Sequence, residues 1–231
     1  MGVQSSFGFT LGRMEKGRLN KITDVPGVRV GHVTRHEGGI NTGVTAILPH
    51  TGDMFHDKCP AASHVINGFG KSIGLVQVNE LGTIETPLLL TNTLSVGTAA
   101  TALVKYMLER NEDIGRDTGT VNPMVFECND GHLNDIRGLH VTEQNALDAL
   151  ANAADDFEEG AGGAGSGMSC YSLKGGIGSA SRVFELYGNK YTVGALLLTN
   201  FGTLRDLTIG GERVGERLYQ KKEAEKAAEQ Q

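Results

Sequence analysis

Apolar and polar positions alternate with period two after the Pro26-Gly27 turn, through Val28, Arg29 and Val30, which predicts a strand entered by a tight turn. Val44 to Leu48 reads as a second strand, residues 51–60 as loop, and the glycine-rich Gly68 to Gly82 shows neither period. Pro87 to Leu90 is a short apolar strand stopped by Asn92-Thr93. Ser95 then reads as an N-cap, and Ala99, Leu103, Tyr106 and Met107 recur at helical spacing until the polar run Glu109 to Asp113. Val121 to Glu127 is a strand, and Thr142 with Glu143 and Asn145 opens a second helix through Leu147 and Leu150. Gly160 to Gly167 is loop. Tyr191 to Thr199, with three consecutive leucines, predicts a strand buried on both faces, and Thr203 to Ile209 a further strand turning at Gly210-Gly211.

Strands and helices are interspersed without regular strand–helix–strand units, so the expected class is α+β layers rather than a doubly wound sheet. No repeat or long linker is visible, and one domain over residues 1–231 is expected. From Glu212 on, five acidic and five basic side chains alternate. Residues 216–231 read as a charged helical or frayed tail.

Composition narrows the function classes. Glycine accounts for 33 of 231 residues, about twice the usual ~7%, and these glycines read as tight turns and close backbone approaches. The net charge of −6 and the absence of Trp argue against a nucleic-acid partner. No apolar run is long enough to span a membrane, and no signal peptide is visible at Met1-Gly2-Val3. The three cysteines, Cys59, Cys128 and Cys170, form no Cys-x-x-Cys pair, so a reduced, cytoplasmic protein is expected.

Several short motifs carry possible chemistry. Gly70-Lys71-Ser72 lacks the glycine five positions earlier, where Val65 stands, so it is not a phosphate-binding loop. Gly70-Lys71-Ser72-Ile73-Gly74 fits a nucleophile elbow, with Asp130 or Asp135 and then His140 following in order. Against it, the strand before it is weak and the helix after it would contain Gly74. His32 and His36 lie in a glycine-broken stretch unsuited to a zinc helix, and the cluster His50, Asp53, His56, Asp57 and Cys59 matches no metal spacing. Gly175-Gly176-Ile177-Gly178 is a turn, not a dinucleotide fingerprint, and Cys170 has no His after it and reads as a structural thiol. No metal and no cofactor are expected. Glu127 ends an apolar strand, where a carboxylate can bind a substrate ammonium or can simply hold a turn. Asn200 ends the strongest strand, where its amide can hold an oxyanion or can equally serve the turn.

Taken in order, several segments resemble one family. They are Ile22-Thr23-Asp24-Val25-Pro26-Gly27-Val28-Arg29-Val30-Gly31-His32, Glu85-Thr86-Pro87, Leu90-Thr91-Asn92-Thr93, Leu133-Asn134-Asp135-Ile136, Gly165-Ser166-Gly167-Met168, Lys174 to Arg182, and Thr199-Asn200-Phe201-Gly202. Residues 20 to 215 thus resemble the L-aminopeptidase/D-amino-acid esterase–amidase family, which includes β-peptidyl aminopeptidases.

The resemblance implies a precursor that cuts itself before a serine, which then becomes the N-terminal nucleophile of a β chain. It implies a four-layer α/β/β/α sandwich, with this sequence as the α chain, the β chain as partner, and αβ heterodimers assembling further. Glu127 falls at the substrate-amine site, and Asn200 matches the oxyanion amide. Asn129 stands where some relatives carry an oxyanion-supporting tyrosine. The expected reaction is release of N-terminal amino acids from peptides, amides or esters. Alternatives are an ornithine acetyltransferase-like acyl transferase cut before threonine, a single-chain esterase using Ser72, and a non-catalytic binding protein on the same fold.

Overall fold

The computed structural model describes residues 12–229. The strands are β1 (Arg29–Glu37), β2 (Ile40–Leu48), β3 (Cys59–Pro60), β4 (Thr83–Ile84), β5 (Leu88–Asn92), β6 (Met124–Cys128), β7 (Ser169–Cys170), β8 (Leu173–Lys174), β9 (Gly176–Leu186) and β10 (Asn189–Thr199). The helices are α1 (Leu75–Leu81), α2 (Val96–Leu108), α3 (Glu143–Ala151) and α4 (Val214–Glu229).

The main sheet has the order β1-β2-β5-β6. β1, β2 and β5 pair antiparallel, whereas β5 and β6 run parallel. The chain therefore contains one strand–helix–strand crossover, β5–α2–β6, which the expectation of irregular interspersion did not include. Its two strands are near-continuous apolar runs, Leu88-Leu89-Leu90 and Met124-Val125-Phe126, as strands covered on both faces require.

Alternation along these strands sorts side chains to two faces. Val44, Ala46, Leu89 and Val125 face the helices, where Val96, Ala99, Leu103, Ala146 and Leu150 complete one buried core. Val30, Ile47, Leu90 and Phe126 point the other way and meet Ile177, Leu196 and Leu198 of the β9–β10 hairpin. The result is helices on sheet on hairpin, three layers among the described residues. A mixed α/β architecture is thus observed.

Glycine lets these layers approach closely. A Cβ on Gly31 would lie 2.2 Å from the carbonyl oxygen of Ala149, so α3 rests on bare β1 backbone. On Gly43 it would lie 2.5 Å from the Gly163 carbonyl oxygen, and on Gly176 1.9 Å from that of Gly160.

Local signals act as read at α3 and differ elsewhere. Thr142 and Asn145 form a reciprocal capping box. Ser95 occupies the N-cap of α2 but gives no side-chain cap bond, and its buried hydroxyl has no partner. The Asn92 side chain instead accepts from the Ser95 backbone N–H at 3.0 Å. β10 is not buried on both faces: Leu196 and Leu198 face the sheet, while Tyr191, Val193 and Leu197 are 46%, 58% and 53% exposed. Residues 203–209 are not a strand either. Leu204–Asp206 is a 3-10 turn, because Thr203 and Asp206 cap each other, and Ile209 bridges Glu212 across Gly210-Gly211.

Candidate active site

The parallel pair β5 and β6 ends at Asn92 and Cys128, which are register partners. At those carboxyl ends Thr93 bonds the side chain of Glu127, and just beyond them Asn200 bonds the main chain of Asn129. Open sheets present ligand sites at this edge, because the chain leaves the strands there and turns into loops and helix N-termini.

Glu127 is half-buried. Its Oε1 accepts from the Lys71 backbone N–H at 3.1 Å, and its Oε2 accepts from the Thr93 hydroxyl. A carboxylate has about four acceptor sites, so the held group retains capacity for a further donor. The Lys71 ammonium does not neutralise it: that group donates to the Phe69 carbonyl at 2.6 Å and lies 3.6 Å above the Phe69 ring.

Asn200 follows β10 and donates its side-chain amide to the backbone carbonyl of Asn129. The amide has two N–H groups, so one remains for another acceptor. Asn129 itself is exposed, and its side-chain oxygen accepts from the Gly131 N–H at 2.8 Å, closing a tight turn. The two asparagines therefore meet through the Asn129 main chain, with the Asn129 side chain turned to its own loop. On one side of the meeting point lies a groove containing Glu127 and Leu198, and on the other a depression lined by Asn200, His132, Ser169 and Lys174.

Below the turn, Asp130 is buried and accepts from Thr42 at 2.6 Å and from Asn134 at 3.0 Å. Burial pushes its carboxyl above the usual aspartate range despite these bonds. Asn92 donates to the same Thr42 hydroxyl at 2.8 Å, so the ends of β5 and β6 share one polar network. Burial first, and then the charge of Glu127, raise the Cys128 thiol to about 11. That thiol donates to the Leu198 carbonyl at 3.5 Å and is an inert structural group at neutral pH.

The elbow reading of Ser72 does not assemble. Asp130 bonds to Thr42 and Asn134 rather than to a histidine, and His140 Nε2 lies 3.6 Å from Asp135. Ser72 lines the groove beside Glu127, and His140 is not among the lining residues. His32 sits in β1 between Thr45 and the Glu158 carbonyl, 2.9 and 3.0 Å away, as a hydrogen-bonded structural residue. In the His50–Cys59 stretch, His56 pairs with Asp113 at 3.3 Å. The two groups that hold Glu127 carry no mark of that role in the sequence: Thr93 reads as a strand end, and Lys71 as part of an incomplete phosphate-loop motif.

The profile of peptidase family S58 matches residues 20–229. The chain belongs to peptidase family S58. Beta-peptidyl aminopeptidase BapA of Sphingosinicella microcystinivorans is 41% identical over 212 residues, 87% of this chain and 52% of that protein. The chain thus spans about half the length of this curated relative. Among solved structures, a protein from Pyrococcus horikoshii OT3 is 56% identical with a TM-score of 0.92, covering 95% of this chain and 64% of that one. The L-aminopeptidase D-Ala-esterase/amidase of Ochrobactrum anthropi, described as a variant of the Ntn hydrolase fold, is 38% identical with a TM-score of 0.83, covering 90% of this chain and 60% of that one. Among the described residues, no helix is long and apolar enough to cross a membrane.

Proposed function

We propose that this S58 chain is the α part of a cytoplasmic aminopeptidase whose nucleophile is the N-terminal serine of a β chain cut from the same precursor. The observation that supports the reading is that Asn200, which follows β10, donates to the Asn129 carbonyl, two residues beyond Glu127 on the β6 chain. The serine hydroxyl attacks the amide or ester carbonyl carbon and gives its proton to the serine α-amine, whose ordinary pKa of ~7.7–8.0 suits a base at neutral pH. The carbonyl oxygen becomes an oxyanion held by the free N–H of Asn200. The bond to the leaving group then breaks and the leaving group takes up the proton. Water releases the amino acid from the acyl-serine. Glu127 pairs with the substrate's ammonium and so limits cleavage to the first residue.

The resemblance supports a fourth layer supplied by the β chain and further association of αβ units. The bare, apolar outer face of β10 fits such a partner. Intact mass and N-terminal sequencing of the native purified protein test the reading. A second chain beginning with serine is expected. One beginning with threonine would redirect the proposal to acyl transfer, and a lone, uncut active chain would overturn it.

A further inference from the structure

At the end of β5 opposite to Asn92 lies a separate cavity of about 310 Å³. It sits where the last turn of α2 meets the residues after β2 and before β5. That is roughly 20 Å along α2 from the helix start beside Thr93. Leu48, Met54, Pro87 and Met107 give the cavity apolar walls.

Two charges of opposite sign, Arg110 and Asp53, line this cavity without neutralising each other. The Arg110 guanidinium lies over the Tyr106 ring, 3.6 Å from its centroid, and donates to the Tyr106 carbonyl at 3.1 Å. Its one ion-pair partner among the described residues is Glu109, at 3.9 Å. A guanidinium has five N–H donors in a planar fork, so most of them remain for a ligand. Asp53 accepts from the Phe55 N–H at 3.0 Å and lies 3.9 Å from His56, which pairs more closely with Asp113 at 3.3 Å. Between the charges, Asn111 is 4% exposed and donates to the Met107 carbonyl at 3.2 Å. Its side-chain oxygen accepts from no group among the described residues and is not sealed in the core, so it opens on the cavity. His50 offers nothing further, because its two ring nitrogens face the Asp57 carbonyl at 2.9 Å and the Gly52 N–H at 3.0 Å.

A ligand that satisfies these walls carries an anion for Arg110, a cationic donor for Asp53 and Asn111, and hydrocarbon for Met54 and Met107. We propose that this cavity binds a free apolar amino acid as its zwitterion. A lone anion would be repelled by Asp53, and a lone cation by Arg110. A volume of about 310 Å³ is at the lower end for ligand sites and suits one amino acid rather than a peptide. The amino acids that an aminopeptidase releases belong to this class, but binding here depends neither on that activity nor on Glu127.

Methyl spectra of the native protein labelled with carbon-13 methionine test this, because Met54 and Met107 line the cavity, whereas Met124 lines the groove beside Glu127. The probes are leucine, isopentylamine, which lacks the carboxylate, and isocaproate, which lacks the amine. Leucine is expected to shift the Met54 and Met107 signals to saturation, and the other two to need at least about tenfold higher concentration. The leucine shifts should persist in Glu127→Gln. Arg110→Gln should weaken leucine and isocaproate about tenfold or more and spare isopentylamine. Asp53→Asn, which keeps an acceptor for the Phe55 N–H, should weaken leucine and isopentylamine and spare isocaproate. Shifts confined to Met124, or no shift at Met54 and Met107, would overturn the proposal. Equal potency of the three probes would also overturn it, since a plain apolar hole would then explain the binding. So would leucine binding that neither substitution changes.

Discussion

The side-chain amide of Asn200 donates to the backbone carbonyl of Asn129, joining residues 71 positions apart at the ends of β10 and β6. One N–H is spent on holding the amide in place, and the other is left for chemistry. A donor fixed in this way needs no reorganisation when charge develops on a substrate oxygen, which is what makes oxyanion stabilisation effective. Asn200→Ala should lower kcat about 100- to 1000-fold with a smaller change in KM. The measurement is made on variant whose cleavage has been verified by mass, and unchanged turnover would exclude Asn200 from the oxyanion site.

Glu127→Gln keeps the shape of the side chain and removes its charge. Hydrolysis of free-amine amides should weaken, and the gap to their N-acetylated counterparts should narrow, because an acylated amine leaves wild-type Glu127 covered without a cationic partner, at a cost of roughly 1–3 kcal/mol. If Glu127 only secures the turn, the variant loses stability and the ratio of kcat/KM values stays put. Thr93→Val should act in the same direction by freeing one carboxylate oxygen, raising KM more than it lowers kcat.

Glu85 offers a pH-dependent test away from the site. It is buried, and it accepts from Lys58 at 2.6 Å and from the Asn122 backbone N–H at 2.8 Å. Burial alone would raise its carboxyl, but these bonds outweigh it and hold the group below the ordinary glutamate range. A depressed carboxyl contributes stability that is present above the unfolded-state pKa and is lost as pH falls through the folded one. Glu85→Gln should therefore lower stability by about 1.5–3 kcal/mol near neutrality. The difference from wild type should shrink in thermal melts as pH falls below the ordinary glutamate range.

The outer face of β10 bears on assembly. Leu197→Asp places a carboxylate where the proposed β chain would cover it, at a cost of at least the ~1.5–3 kcal/mol of a buried leucine plus desolvation of the charge. The αβ complex should dissociate at higher concentration in analytical ultracentrifugation, while the circular dichroism of the separated α chain is retained. An unchanged complex would mean that this face points to solvent in the assembled protein.

Which features were legible in the sequence follows from how local their causes are. The start of α3 could be read because Thr142 and Asn145 are three residues apart and satisfy each other. The burial of α2 could be read because Ala99, Leu103 and Met107 recur on one helical face. β10 misled because Leu196, Leu197 and Leu198 are chemically identical, although the middle one points outward. Residues 203–209 misled because Thr, Leu and Ile favour strands, while the turn depends on one side-chain pair, Thr203 with Asp206. The crossover β5–α2–β6 depends on a parallel pairing that leaves no local mark. At the site, Glu127 and Asn200 each looked like a turn residue alone. The resemblance to relatives, not spacing, singles them out.

Where Gly31, Gly43 and Gly176 stand, main chain rests on main chain, so the distance between layers is set by backbone atoms rather than by the bulk of the side chains between them. Layers spaced in this way act like floors on fixed columns: removing furniture from a room does not lower the ceiling. A void opened by trimming Leu89 or Leu103, both fully buried, has little room to collapse. Such truncations belong at the upper end of the ~2–5 kcal/mol range, and the holes they leave should stay open to small apolar guests such as xenon or benzene.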